Sequence, residues 1–298
     1  MTIRNPATIR NPATIRNPVE WSAEQVRLTF NAARAAGAAF VPAREAIASP
    51  LPRARHVSFG DLGEALRRGV SDFGACRTDI VFICLIYPLA GLVLARIALG
   101  YGMWPLLFPL VSGFALVGPF AAAGLYEMSR RREQGLPLSW RDGFKVFASP
   151  ALAPMLELGL LLTLIFGLWL VAAMAIYYAT LGPQMPVSLA TFASAVFTTP
   201  AGWALIIFGV SVGAVFAVVV LTISVVSFPL LIDRPVSVGT AIRASVDTVL
   251  LNPLPMLAWG LIVAGALLLG ALPGLIGLIV VVPVLGHATW HLYRKAIR

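Results

Sequence analysis

From residue 80 onward the chain alternates between long apolar runs and short polar stretches. Six runs, at 80–99, 104–126, 152–181, 203–232, 254–272 and 275–293, come close to the about 20 residues a helix needs to cross a hydrocarbon core about 30 Å thick. The third and fourth exceed that need, so tilt, kinking or extension beyond the core is expected of them. Tight turns at 100–103 and 273–274 make hairpins of runs one and two, and of runs five and six. The pattern predicts an all-α polytopic membrane helix bundle with six transmembrane helices over residues 57–298. Residues 1–56 are set apart as a basic, partly disordered cytoplasmic extension.

Three polar stretches share a second pattern. They open at Val57-Ser58-Phe59, Leu138-Ser139-Trp140 and Val236-Ser237-Val238. In each, the serine stands where a helix N-cap belongs and a polar residue follows three places on: Asp61, Asp142 and Thr240. Apolar residues then recur on one helical face: Phe59, Leu62, Leu66, Val70 and Phe73; Trp140, Phe144 and Phe147; Val238, Ile242, Val246 and Val249. Charged residues such as Arg67, Arg68, Lys145, Arg243 and Asp247 take the other side. Helices of this kind lie in the membrane interface or under a bundle. Each leads into a pair of apolar runs, which predicts three repeats of an interfacial amphipathic helix plus a transmembrane hairpin, with Ser58, Ser139 and Ser237 as caps.

Composition supports the lipid reading. The chain has 298 residues, of which 59% are hydrophobic and 12% charged, with mean hydropathy +0.87. A soluble domain carries about a quarter charged residues. The net charge is +9, and its placement is informative. Of the 22 Lys and Arg, all but Arg96 lie in 1–79, 127–151, 233–253 and 294–298. The alternate stretches 100–103, 182–202 and 273–274 hold none. The positive-inside rule puts both termini and the charged stretches on the cytoplasmic side of the membrane. Topology thus accounts for the basic balance, and no nucleic-acid partner is expected.

The N-terminus repeats TIRNPA, whose Asn-Pro pairs disfavour helix. A helix is expected from Ser22 to Gly37, and the prolines Pro42, Pro50 and Pro52 mark a linker. Cys76 and Cys84 are expected to be inert apolar side chains.

Few residues could carry chemistry. Arg96, near the outer end of run one, is expected to snorkel to the interface. Glu157, a little over a turn into run three, suits either a proton relay or a headgroup contact. His287 and His291 stand at i and i+4 on one face near the cytoplasmic end of run six. That spacing could present two imidazoles to one metal, but the metalloprotease motif needs Glu where Ala288 stands, and the chain has only 3 His. No metal site, cofactor or catalytic residue is assigned. Glu157, His287, His291 and Arg96 form a candidate polar site.

The runs FPLLIDRPVSVGTAIRAS (228–245), Asn252-Pro253-Leu254-Pro255-Met256 and HATWHLYR (287–294) resemble a bacterial family of predicted integral membrane proteins, domain of unknown function 2189. The resemblance spans about 57–298, is most specific at the HATWHLYR end, and implies six spans with no assigned activity. Three functions are weighed. The first is a non-enzymatic accessory, assembly or membrane-organising protein whose interfacial helices dock a partner or lipid. The second is a small transporter or channel with a site near Glu157, His287 and His291. The third is a metal- or haem-binding membrane protein. The expected partners are the lipid bilayer and another membrane protein complex, with a homo-oligomer left open.

Overall fold

The computed structural model describes residues 52–75, 88–89, 91–93, 96, 100, 103–110, 118–119, 122–136 and 139–298. The N-terminal repeat, the 22–37 helix, Cys76, Cys84 and most of the first two apolar runs lie outside these residues. Among the described residues the chain is helical and no strand forms; a lone bridge joins Ala54 to Ile297.

The first described helix, α1 (Phe59–Ala75), starts after Ser58. Its hydroxyl accepts the Asp61 amide at 3.2 Å, and the Asp61 carboxylate takes the Ser58 amide at 2.9 Å. Helix α2 (Ala123–Glu133) follows, then a 3-10 helix (Trp140–Ala148). Ser139 opens the latter with a reciprocal Ser139–Asp142 box. Ser149 is extended ahead of Pro150, as the residue before a proline prefers, so this run stops after 9 residues. The third such segment, α7 (Val238–Leu251), starts at Ser237, whose hydroxyl accepts the Thr240 amide at 3.2 Å.

Between them stand α3 (Leu152–Leu181), α4 (Leu189–Thr198), α5 (Pro200–Ser224) and α6 (Ser227–Asp233). After α7 come α8 (Pro253–Ala271) and α9 (Leu278–Ala296). Among the described residues, three apolar stretches are long enough to cross a membrane: α3, the α5–α6 run and α8. The predicted third, fourth and fifth runs correspond to them. The sixth forms α9, but its second half carries His287, His291, Arg294 and Lys295 and sinks into protein.

In α3 the buried positions Met155, Leu158, Leu162, Trp169, Ala173 and Tyr177 form one stripe, while Leu156, Leu160, Leu164 and Leu168 face outward. Gly213 of α5 lets that helix approach Trp169, since a Cβ there would sit 3.1 Å from the indole. Tyr178 and Trp203 are exposed near the helix ends that flank the uncharged loop, where interfacial aromatics are found. The α8–α9 turn passes through Gly274 and Leu275, both at positive φ, and Gly277 packs on the Gly270 carbonyl.

The buried core gathers at the charged end. It draws on Leu62, Leu125, Met128, Met155, Phe228, Leu230, Met256, Trp259, Trp290 and Tyr293. Helix α1 docks by a face rotated from the one its apolar residues mark, with Leu62 in the core and Leu66 and Phe73 packed against it. Leu62, Ala65, Gly69 and Asp72 are buried, while Phe59 and Val70 are exposed. Gly69 explains the choice: a Cβ there would lie 2.7 Å from the Ala288 amide and the Val284 carbonyl. A small-residue seam thus brings α1 backbone to backbone against α9. In α7 the rotation is smaller: Ala241, Ala244, Ser245 and Thr248 are buried, and Arg243 and Asp247 stay outside as expected.

Candidate polar centre

Helices α1, α2 and α9 meet around the Asp72 carboxylate. Asp72 is 5% exposed, Ser129 1%, His287 1% and His291 9%. Ser129 Oγ lies 2.6 Å from Asp72 Oδ2 and 2.7 Å from His287 Nδ1. A hydroxyl has one proton, and an ionised carboxylate can only accept. Ser129 therefore donates to Asp72, and His287 carries its proton on Nδ1 and donates to Ser129. His291 Nε2 donates to the same Asp72 oxygen at 2.9 Å. The other oxygen takes an ion pair from Arg132.

Burial drives the Asp72 carboxyl toward the neutral form, but the His291 and Ser129 hydrogen bonds outweigh it and hold its pKa below the ordinary carboxylate value. The result is a charged hub tying three helices, with Ser129, His291 and Arg132 aimed at one carboxylate and His287 joined to it through Ser129.

The set contains the residue types of a hydrolytic triad in the wrong order. In a triad the imidazole bridges serine and carboxylate; here the serine bridges imidazole and carboxylate. Its proton points to Asp72, a carboxylate held below its ordinary pKa and so a weak base. Nor do the described residues contain a group of three or more His, Cys, Asp or Glu able to hold a metal ion.

Further ion pairs and hydrogen bonds surround the hub. Glu133 takes Trp290 Nε1 and Arg294 Nε, each at 3.1 Å. Tyr293 donates to Asp233 at 2.6 Å. Lys295 bridges Asp61 (3.0 Å) and Glu64. The Ser58 amide, the Ser58 hydroxyl and Lys295 together pull the Asp61 pKa down to about 2. The Lys295 ammonium is pushed up by its hydrogen bonds to Glu64 and Asp61. Asn252, the residue before α8, donates to the Arg55 carbonyl (2.9 Å) and accepts the Val57 amide (2.8 Å). It thereby pins the chain entering α1.

A cavity of about 240 Å3 opens beside the hub, lined by Arg68, Ser71, Asp72, Ser129, Arg132, Glu133 and His291. Of the candidate residues, His287 and His291 come together, with Asp72 as the shared partner. Glu157 is exposed on α3 beside Leu156, and Arg96 is exposed too; neither lines this cavity. Asp72, Ser129 and Arg132 were not singled out from sequence. Their signal is the spacing Leu62, Ala65, Gly69, Asp72, a seam of small residues ending in a carboxylate, set against Ala288 and the His pair.

Neither curated proteins nor solved structures give a match to the chain. A family match covers a narrower stretch than the resemblance and leaves out the HATWHLYR end. It includes Ser129 and Arg132 of the hub but not Asp72, His287 or His291. Residues 107–233 match the model of the family described as "Predicted integral membrane protein (DUF2189)".

Proposed function

We propose that the chain is a non-enzymatic, membrane-organising protein of the bacterial inner membrane, with both termini in the cytoplasm. Its amphipathic helices α1 and α7 lie at the cytoplasmic interface and dock lipid headgroups. The observation that carries this reading is the face α1 leaves free. Its seam is spent on α9, so Phe59 and Val70 remain outside on a helix that also bears Arg67 and Arg68. An apolar strip flanked by cations suits the headgroup–acyl boundary. The transporter alternative draws no comparable support. It needs Glu157 and the His pair on one path, and Glu157 faces out among leucines while both imidazoles are spent on Ser129 and Asp72.

The reading is tested with a polarity-sensitive fluorophore at Val70→Cys, Cys76 and Cys84 having been replaced by Ala, in full-length protein in nanodiscs. Emission typical of the bilayer interface is expected. Emission typical of bulk water would overturn it. Proton flux through reconstituted protein that falls on Glu157→Gln and on His291→Ala would favour transport instead.

A further inference from the structure

The cavity beside the hub has two walls of matching chemistry. On α1, Arg68, Ser71 and Asp72 stand at i, i+3 and i+4; on α2, Ser129, Arg132 and Glu133 repeat that spacing. Such spacings put each trio on one helical face. Each wall therefore offers a guanidinium, a hydroxyl and a carboxylate, and His291 of α9 completes the lining. Among these residues the two guanidinium groups and the two carboxylates balance.

We propose that this cleft binds the phosphoethanolamine headgroup of a glycerophospholipid. A purely anionic headgroup would meet two carboxylates as well as two guanidinium groups. A zwitterion satisfies both kinds of charge. Asp72 is buried and already accepts from Ser129, His291 and Arg132, so the ammonium belongs to the more exposed Glu133. The Glu133 side chain is 38% exposed, and each of its oxygens accepts one hydrogen bond already where it can accept two.

The phosphate belongs to Arg68, Ser71 and the outer edge of Arg132. Arg132 Nη2 lies 3.4 Å from Ser71 Oγ, a long contact that a phosphate oxygen would improve on. A primary ammonium donates three hydrogen bonds to carboxylates, and a trimethylammonium donates none, so phosphatidylcholine is refused. The cleft is too small and too polar for acyl chains, which would run along the Phe59 and Val70 side of α1. That placement rests on the interfacial position proposed above for α1.

The test uses full-length protein extracted in mild detergent and native mass spectrometry of retained lipid. Phosphatidylethanolamine, phosphatidylglycerol and phosphatidylcholine are offered in equal amounts. The ethanolamine lipid should be retained over both others. Arg68→Gln should cut its retention about fivefold, the size expected for one part-exposed charged contact. Glu133→Gln should shift preference toward the glycerol lipid. Soluble phosphoethanolamine should compete at high concentration.

Equal retention of all three lipids, or retention unmoved by both variants, would overturn the proposal. Binding of soluble phosphoethanolamine with no lipid retained would reassign the cleft to a small metabolite and overturn it as a lipid site. Both variants change exposed side chains, and a melting curve for each confirms folding. The Val70→Cys fluorophore is read in parallel. Interface emission without lipid selectivity sinks only this proposal, whereas water-like emission sinks the interfacial reading on which it rests.

Discussion

Helix α9 and helix α5 are both apolar at their start, and they end differently. The apolar stretch of α5 is almost wholly unburied: Ile207, Phe208, Val210, Val215 and Val218 face outward. The second half of α9 is almost wholly buried, and it carries the polar residues His287, His291 and Thr289 among Leu285, Trp290, Leu292 and Tyr293. In water the reverse would hold, with apolar residues inside and polar ones out. The contrast marks two solvents. The shafts α3, α5 and α8 present apolar side chains to lipid. The charged end folds as a protein core around a carboxylate. Burying Asp72 there is tolerable only because it collects several donors; an unpaired buried charge costs far more.

The largest expected effect comes from breaking the core side of this contrast. Asp72→Ala leaves His291, Ser129 and Arg132 without their common acceptor. It should cost about 3–5 kcal/mol, the usual range for removing one partner of a buried pair, read as thermal unfolding in detergent. Glu157→Gln on the shaft should change stability by less than about 0.5 kcal/mol. A similar loss for both would erase the distinction.

A second pair sharpens it within one helix. Leu158 is fully buried and Leu160 is 62% exposed. Leu158→Ala should cost about 2–4 kcal/mol and Leu160→Ala almost nothing when compared in bilayers. Next, Gly69→Val tests the seam. Its side chain would press into the α9 backbone, and overpacking of this kind costs about 1–3 kcal/mol.

The smallest effect is a pH dependence at the mouth of α1. The Asp61 pKa is depressed in the folded chain, from 3.8 to about 2. Its contribution is present above pH 4 and is lost as pH falls toward 2. Solvent screening of this partly exposed group limits it to about 1 kcal/mol. Asp61→Asn should flatten the acid limb of the stability profile, and an unchanged limb would remove Asp61 as its source.

Much of the shaft was legible, because lipid imposes a simple requirement of length and apolarity. The third run and α3 share the bounds 152–181, and α8 begins one residue ahead of the fifth run. The serines before α1 and α7 were legible for a local reason, since a cap needs only its own next turn. The hub was not. It joins Asp72 to Ser129, His287 and His291 across 57 to 219 residues of sequence, and no local rule spans that distance. The His pair drew attention by its i, i+4 spacing, while its partner hid in a helix whose large apolar residues marked a face rotated away from it. Gly69 and Ala65 held the missing information: close approach of two helices selects small residues, not large ones.

The most direct measurement of the account is side-specific labelling of single cysteines at Ser188 and Arg298, in chains lacking Cys76 and Cys84. With a membrane-impermeant reagent on intact spheroplasts, Ser188→Cys should label and Arg298→Cys should label only after lysis. Labelling of both positions from the outside, or of neither before lysis, would contradict a bundle whose charged core and uncharged loops face opposite sides of the bilayer.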